Sequence, residues 1–139
     1  MRQASHRLAV ATRGKGLVEI TRDVRSWVAE QEVSTGLLTL FCRHTSASLL
    51  IQENADPDVR RDLETYFETI APEAPGRYVH EDEGPDDMPA HLRTALTQVQ
   101  LSIPVLGGAP VFGTWQGIYL FEHRRAPHRR EVVLHLIGD

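Results

Sequence analysis

The sequence predicts an α+β fold, and two observations support that prediction. Three stretches place apolar residues three and four positions apart, which is the period of an amphipathic helix. The other apolar stretches are short, end near glycine or proline, and become frequent toward the C-terminus, as strands do. With 139 residues, 41% of them hydrophobic and 24% charged, the chain has the size and composition of one globular domain. We therefore expect a single domain over residues 1–139.

The first third of the chain is predicted to hold strands around one helix. Residues 6–12 and 17–20 have strand-like patterns on either side of a glycine-containing turn. Thr21 is predicted to cap the first helix, and Asp23 is favourably placed in its first turn. The buried stripe of that helix is predicted to be Val24, Trp27 and Val28. Residues 37–42 form an apolar run of strand length, which indicates burial on both faces.

Polar side chains interrupt the next apolar region. His44, Thr45, Ser46 and Ser48 lie between the strand-like residues 37–42 and 49–51. Hydroxyls and an imidazole in such a position need hydrogen-bond partners or face a cavity. The pattern therefore indicates either a hydrogen-bonded turn or part of a functional site.

A second helix has a strong start signal. Asp56 is predicted as its N-cap and Pro57 as its first helical residue. Apolar residues then recur at spacings of four, four and three, which predicts an amphipathic helix of about 14 residues. These apolar residues are Val59, Leu63, Phe67 and Ile70. The charged residues on the same helix are interpreted as its solvated face: Arg60, Arg61, Asp62 and Glu64.

An acidic segment follows, in which two histidines bracket five carboxylates over residues 80–91. Histidine nitrogen and carboxylate oxygen are ligands that zinc and other divalent metals prefer. An exposed acidic turn is the alternative interpretation. Asp87 is predicted to cap a third helix, so that Asp87 and His91 lie four positions apart on one face. The predicted core side of that helix consists of Leu92, Ala95, Leu96 and Val99.

Two glycines near the C-terminus flank the sequence Thr-Trp-Gln. Gly113 and Gly117 indicate a bulge or a close approach of the backbone to something bound. We expect Trp115 to be substantially buried and Gln116 to face the histidines. The alternative is that Trp115 is only a core residue, because large aromatics carry much of the burial in any core.

Composition excludes several classes of function and location. The net charge of −4 gives no electrostatic footprint for nucleic acid. No apolar run approaches the roughly 20 residues of a membrane span, and the first residues lack the apolar region of a signal peptide. The single cysteine, Cys42, excludes an intramolecular disulfide and a thiolate zinc site. We therefore expect a cytoplasmic protein that binds neither nucleic acid nor membrane.

Four phrases of the sequence, in this order, resemble the YjbQ-like family. They are the residues 44–48 (HTSAS), 53–57 (ENADP), 80–91 (HEDEGPDDMPAH) and 113–124 (GTWQGIYLFEHR). The resemblance implies a barrel-like β-sandwich of mixed or antiparallel strands, with about three helices packed against it. It also implies a homotrimer whose sites lie at or near the subunit boundaries, where the charged face of the second helix would be partly covered.

The same resemblance implies an activity. Members of the family have been assigned a secondary thiamine-phosphate synthase activity, which joins a pyrimidine diphosphate to a thiazole phosphate in a polar site described as metal-binding. The positions that match the family's polar residues are His44, Asn54, Asp56, His80, Asp87, His91, Gln116, Glu122 and Arg124. The local departures, Cys42-Arg43 and Gly84-Pro85, touch none of these positions, although Pro85 alters the acidic loop.

The expected metal site consists of three histidines. His44, His80 and His91 are predicted to converge within about 5 Å of a common point and to hold zinc or magnesium with one position left open. No organic cofactor is expected. The predicted catalytic residues are His44, Asp87 and Glu122. The residues predicted to bind a small phosphorylated metabolite are Thr45, Ser46, Asn54, Gln116 and Arg124.

Two other functions remain open at this point. A metal-dependent hydrolase would need the same groups. A non-enzymatic trimer that binds a metabolite or another protein would instead let the histidines and acids satisfy one another in the core.

Overall fold

A computed structural model describes residues 1–139 and contains three helices and eight strands, with every strand pair antiparallel. The strands are β1 (Arg2–Ala11), β2 (Gly16–Glu19), β3 (Gly36–Cys42), β4 (Ala47–Glu53), β5 (Gln100–Leu106), β6 (Ala109–Pro110), β7 (Gln116–Glu122) and β8 (Arg129–Gly138). The helices are α1 (Thr21–Glu30), α2 (Pro57–Ile70) and α3 (Asp87–Leu96). Together they form a curled half-barrel, which confirms the predicted α+β, barrel-like fold class. None of the three helices is both long enough and apolar enough to cross a membrane.

The larger sheet has the strand order β1-β8-β3-β5-β6. β8 lies between β1 and β3 and pairs with both, so that Arg2 is opposite Gly138. Val132, Leu134 and Leu136 of β8 are fully buried, and the residues between them face outward. This alternation is the period of a strand with one face on the core.

The smaller sheet has the order β2-β7-β4, and its central strand is buried on both faces. Ile118 and Leu120 of β7 point into the main core, whereas Tyr119 and Phe121 point toward α2. The Tyr119 hydroxyl accepts a hydrogen bond from Arg60 at 2.9 Å. The ring of Phe67 meets Phe121 edge to face at 5.2 Å between centroids. The helix α2 therefore covers the outer face of β7.

The start signals of the first two helices had different outcomes. The α2 start is confirmed: Asp56 accepts a hydrogen bond from the amide of Asp58 at 2.9 Å, and the helix is 14 residues long. In α1 the buried stripe is confirmed, but the prediction that Thr21 caps the helix is wrong. Thr21 is the first helical residue, and its hydroxyl donates to Glu19 at 2.8 Å and accepts from the amide of Ile118 at 2.9 Å.

The predicted core side of α3 is wrong at Ala95 and Leu96, which are exposed, whereas Leu92 is half-buried and Val99 packs against the core just beyond the helix. Leu96 is 63% exposed, whereas Arg93 is buried. Arg93 tolerates burial because it donates to the carbonyl of Ala71 at 2.9 Å and forms an ion pair with Glu68 at 3.3 Å. The helix also begins one residue earlier than a cap at Asp87 requires, since Asp86 occupies the N-cap position and Asp87 is the first helical residue.

Candidate functional site

His80, Asp87 and His91 form a tight group, called the histidine cluster below. Their ligand atoms all lie within 4.8 Å of one another. The Asp87 Oδ2 atom is 2.7 Å from His80 Nε2 and 3.1 Å from His91 Nε2. Asp87 and His91 meet because they are one helical turn apart on α3, and the preceding loop returns His80 to the same place. Two of the three predicted metal-binding histidines therefore converge, with a carboxylate between them.

Asp87 is almost fully buried at the centre of the cluster. Its Oδ1 atom accepts a hydrogen bond from Arg124 Nη1 at 2.8 Å, which leaves Oδ2 directed at the two histidines. Burial alone would raise the pKa of Asp87, but the hydrogen bond from His80 and the charges of His91 and Arg124 outweigh burial and hold the pKa below its usual value. Asp87 is therefore ionised and oriented at neutral pH.

Arg124 anchors the acidic loop as well as Asp87. Its Nε atom donates to Asp86 at 3.0 Å, and its Nη2 atom donates to the carbonyl of Glu83 at 2.9 Å. The backbone amide of Arg125 donates to the same Asp86 carboxylate at 2.9 Å. Arg124 lies beside the cluster as predicted, but its nitrogens are engaged with the protein, which makes it a positioning residue for Asp87 in this arrangement.

His44 lies near the cluster without belonging to it. Its Nε2 atom accepts a hydrogen bond from the amide of Glu131 at 2.8 Å, so that nitrogen is occupied. Burial, followed by the charge of Arg130, lowers the pKa of His44. His44, Thr45 and His91 line one cavity of about 540 Å3. Ser46 is held differently, since its hydroxyl accepts from Arg130 Nη2 at 3.1 Å.

A second, smaller cavity of about 210 Å3 borders the cluster. His80 lines it, together with the less polar residues Tyr78, Pro85 and Met88. The Tyr78 hydroxyl donates to the carbonyl of Pro72 at 2.8 Å, which fixes that wall. The two histidines of the cluster thus border two cavities of different character, His80 the smaller one and His91 the larger one.

Glu122, predicted to be catalytic, is fully buried and surrounded by donors. Arg130 Nε and the Thr12 hydroxyl both donate to its Oε1 atom, at 2.8 and 2.7 Å. The backbone amides of His123 and Arg124 donate to its other oxygen. Burial raises the pKa of Glu122, but the hydrogen bonds from Arg130 and Thr12 more than offset that effect and lower the pKa overall. In this arrangement Glu122 links the end of β7 to β8.

Asn54, Gln116 and Trp115 lie at the opposite end of the small sheet. Gln116 begins β7 and Glu122 ends it, so six steps of about 3.3 Å separate the two residues by about 20 Å. The expectation that Gln116 faces the histidines is therefore wrong within one chain. The expectation that Trp115 is buried is also wrong, because 61% of its surface is exposed. Asp56 caps α2 at this same end of β4.

Several polar residues near the cluster were not predicted. His123 Nε2 lies 2.9 Å from the Ser48 hydroxyl, and Thr97 donates to that hydroxyl at 2.6 Å. Arg130 pairs with Glu122. The alternation of β8 places Arg130 on the same inward side as Val132, and that pattern could have indicated a buried arginine with an acidic partner.

The fold and the cluster together define a small α+β protein with a candidate site of two histidines and one carboxylate. The chain belongs to the YjbQ-like family: the family description that matches residues 6–139 is UPF0047 protein YjbQ-like.

Relatives and solved structures agree with this membership. The chain is 51% identical to the UPF0047 protein sll1880 of Synechocystis sp., over 99% of this chain and 94% of that protein. It is 39% identical to the UPF0047 protein YjbQ of Escherichia coli O157:H7, over 95% and 96% of the two chains. A conserved hypothetical protein from Thermus thermophilus superimposes with a TM-score of 0.85 at 36% identity, covering 95% of this chain and 99% of that one.

Proposed function

We propose that this protein is a thiamine-phosphate synthase-type enzyme that joins a pyrimidine diphosphate to a thiazole phosphate and depends on a divalent metal ion. His80, Asp87 and His91 would hold the ion. The observation that carries the proposal is the convergence of three ligand atoms within 4.8 Å, on a carboxylate whose second oxygen is already fixed by an arginine.

The donor set fits a divalent ion. Tetrahedral ligands bound at 2.0–2.1 Å lie about 3.3 Å apart, and the Asp87 oxygen is now 2.7 and 3.1 Å from the two histidine nitrogens. Small side-chain movements would therefore suffice. The bond from Arg124 to Asp87 is the kind of outer contact that orients a metal ligand. The choice between zinc and magnesium favours zinc, because two of the three ligands are imidazoles.

The chemistry needs charge stabilisation at the departing group. In the proposed reaction a nucleophilic atom of the thiazole phosphate forms a bond to the carbon that carries the diphosphate. The bond from that carbon to the diphosphate oxygen breaks, and pyrophosphate leaves as a polyanion. When bound, a divalent cation would supply positive charge for that leaving group. Arg43 and the hydroxyl of Thr45 line the larger cavity beside His91, where they can hold phosphate oxygens.

The two cavities favour a reaction with two substrates over hydrolysis of one. The smaller cavity offers Tyr78 and Met88 as walls for a flat ring, and the larger one offers Arg43, His44 and Thr45 for a phosphate group. A hydrolase would need only one such cavity beside the cluster. We further propose that the protein acts in the cytoplasm, which suits its free buried thiol, and as a homotrimer.

Zinc binding is the first test. Chelator-treated protein should bind one zinc ion per chain by titration calorimetry. Asp87→Asn and His91→Gln should each weaken that binding by about 100-fold or more, because a ligand is lost. His135→Gln is the matched control, since His135 lies on β8 and contacts Gln3 rather than the cluster. Equal zinc affinity in all four proteins would refute the metal site.

Activity is the second test, with the metal-loaded protein and both phosphorylated precursors. Formation of thiamine phosphate with stoichiometric pyrophosphate release would support the synthase, provided that Asp87→Asn abolishes it. Release of phosphate from a single precursor would identify a hydrolase instead. Zinc binding without either reaction would favour the non-enzymatic binding module.

A further inference from the structure

A polar cleft of about 630 Å3 opens at the Gln116 end of β7, away from the histidine cluster. Eight residues line it and none is hydrophobic. Those that carry the argument are Glu19, Arg22, Arg25, Asn54, Thr114 and Gln116. We call it the far cleft. Its walls come from β2, α1 and the two chain segments at the ends of β4 and β7.

The far cleft holds two guanidinium groups without acidic partners. Arg22 and Arg25 are three positions apart on α1, so both side chains project from one face. Neither forms a salt bridge within 4.0 Å, although Glu19 lines the same cleft. The Arg25 guanidinium stands over the ring of Phe112 at 5.2 Å, which limits its freedom. Two arginines on one wall are suited to a doubly charged oxyanion.

The neutral groups of the far cleft are held in place. The Asn54 amide donates to Glu19 Oε2 at 3.2 Å, and Thr21 donates to the same oxygen. Gln116 Oε1 accepts from the amide of Gly113 at 2.8 Å, so the Gln116 NH2 group remains available as a donor. A Cβ atom at Gly117 would lie 2.7 Å from Glu19 Oε2, so glycine is what allows this wall to close against the strand.

The remaining hydrogen-bonding capacity suits hydroxyl groups. Glu19 Oε1 and the Asn54 carbonyl oxygen can accept, whereas Gln116 and Thr114 can donate. A bare inorganic anion would be attracted by the arginines but repelled by the Glu19 carboxylate. A phosphate ester with hydroxyl groups would place its phosphate at the arginines and donate hydrogen bonds from its hydroxyls to Glu19. Trp115 lies between the cleft residues Thr114 and Gln116 in sequence and is 61% exposed, so its indole ring is accessible to a ligand next to the cleft.

We propose that the far cleft is a second ligand site, distinct from the histidine cluster, for a small phosphate ester rich in hydroxyl groups. Arg22 and Arg25 bind the phosphate. Glu19, Asn54 and Gln116 bind the hydroxyls. The proposal does not depend on the enzymatic function above, because the two places lie at opposite ends of β7.

Ribose 5-phosphate is a suitable probe, with ribose and inorganic phosphate as its two halves. Calorimetry on the full chain should show saturable binding of ribose 5-phosphate that is about tenfold or more tighter than either half alone. Fluorescence of Trp115 should change with the same midpoint, since the other tryptophan, Trp27, is buried. Equal affinity for inorganic phosphate, or no saturable binding at all, would overturn the proposed ligand class.

Two variants test the location. R22Q/R25Q should weaken ribose 5-phosphate binding about tenfold or more. R2Q/R129Q removes the same charge from two exposed arginines on β1 and β8 and should leave the affinity within about twofold. All four arginines are exposed, so neither double variant removes a buried side chain. An equal loss in both double variants would reduce the site to a general charge effect and overturn it.

Asp87→Asn tests separateness from the histidine cluster. Its affinity for ribose 5-phosphate should equal that of the unaltered protein, and R22Q/R25Q should bind zinc normally. If Asp87→Asn abolished ribose 5-phosphate binding, the far cleft and the histidine cluster would be parts of one site contributed by different chains, and the claim of a second site would fail.

Discussion

The two ends of β7 carry similar residue types in opposite states. At the Glu122 end, carboxylates, arginines and hydroxyls are buried and bond one another, as in the group of Glu122, Arg130 and Thr12. At the Gln116 end, Arg22 and Arg25 have no acidic partner in the chain, and the NH2 group of Gln116 is free to donate while its oxygen accepts from Gly113. The first end is held together by its own polar groups, and His80 and His91 of the histidine cluster, with His44 and Thr45, line cavities there. The second end has binding capacity that the fold does not consume. Residue type alone therefore does not distinguish structural polar groups from binding groups. The distinction is whether a polar group already has a hydrogen-bond or ion-pair partner within the chain.

The largest expected difference between the ends comes from Glu122→Gln. Arg130 would keep its charge while only 5% exposed, so the free energy of unfolding should fall by about 3–5 kcal/mol. Urea denaturation measures this loss. Glu19→Gln at the other end is the control and should change stability by less than about 1 kcal/mol, because Glu19 is exposed. Similar losses of stability in the two variants would contradict the conclusion that polar groups stabilise the fold at the Glu122 end but not at the Gln116 end.

The next effect is a dependence of stability on pH, caused by His123. Burial, reinforced by the charge of Arg93, lowers the pKa of His123 from 6.5 to about 3. Between these values the unfolded chain takes up a proton that the folded protein does not. This contribution to stability is therefore complete above pH 6.5 and is lost as the pH falls toward 3, and the loss reaches about 4 kcal/mol at pH 3.

Urea denaturation at a series of pH values measures the slope. His123→Gln keeps an amide group near Ser48 but has no titrating ring, so its stability should depend less on pH across this window. His135→Gln should keep the original slope. An unchanged slope in His123→Gln would assign the acid sensitivity to other groups whose pKa values are lowered, among them His44, Asp87 and Glu122.

A smaller effect is expected for Gly117→Ala. The new Cβ would meet Glu19 and Asn54 at 2.7 and 3.0 Å, and both side chains would have to move. Because the nearest atoms are side-chain ends, the loss of stability should be about 1 kcal/mol, while binding of ribose 5-phosphate should weaken markedly. Gly76→Ala is a contrasting control: nothing lies within 4 Å of its Cβ, although its positive φ of 84° adds backbone strain far from the far cleft. Intact binding in Gly117→Ala would show that the Glu19–Asn54 wall is not needed.

The smallest effect is expected for Trp115→Ala. An exposed indole contributes little to folding, so the free energy of unfolding should change by less than about 0.5 kcal/mol. Trp27→Ala is the contrast, because Trp27 is in the core and its loss should cost about 3–5 kcal/mol. Thermal unfolding of both variants measures the difference. A large loss in Trp115→Ala would mean that this indole is covered in the assembled protein.

Local patterns predicted the parts of the fold that depend on local interactions. The Asp56–Pro57 start of α2 and the stripe of α1 follow from hydrogen bonds and periodicity within one segment. The prediction of the core side of α3 failed because burial of Arg93 depends on partners outside that helix. Glu68 lies in α2 and Ala71 directly follows it, so the periodicity of apolar residues within α3 gives no sign of them.

The candidate site divides in the same way. Asp87 and His91 could be paired from their helical spacing, whereas the role of Arg124 in holding Asp87 needed the fold. The separation of Gln116 from the cluster was available from the sequence, since a strand running from Gln116 toward Glu122 must keep its two ends far apart. The family resemblance placed Gln116 with the histidines because all of these residues match the family's polar positions. Such a match does not report how far apart the residues lie in the structure.

The position of β8 has a consequence for synthesis of the protein. β8 is the last strand of the sequence, yet it lies between β1 and β3 and forms hydrogen bonds with both. Until β8 has been synthesised, β1 has no strand to pair with, and β3 lacks one of its two neighbouring strands. Pairing Arg2 with Gly138 closes a loop of nearly the whole chain, so folding should be slow for a domain of this size. Completion of the larger sheet must therefore follow the emergence of β8 from the ribosome, and until then its open strand edges are exposed to other chains.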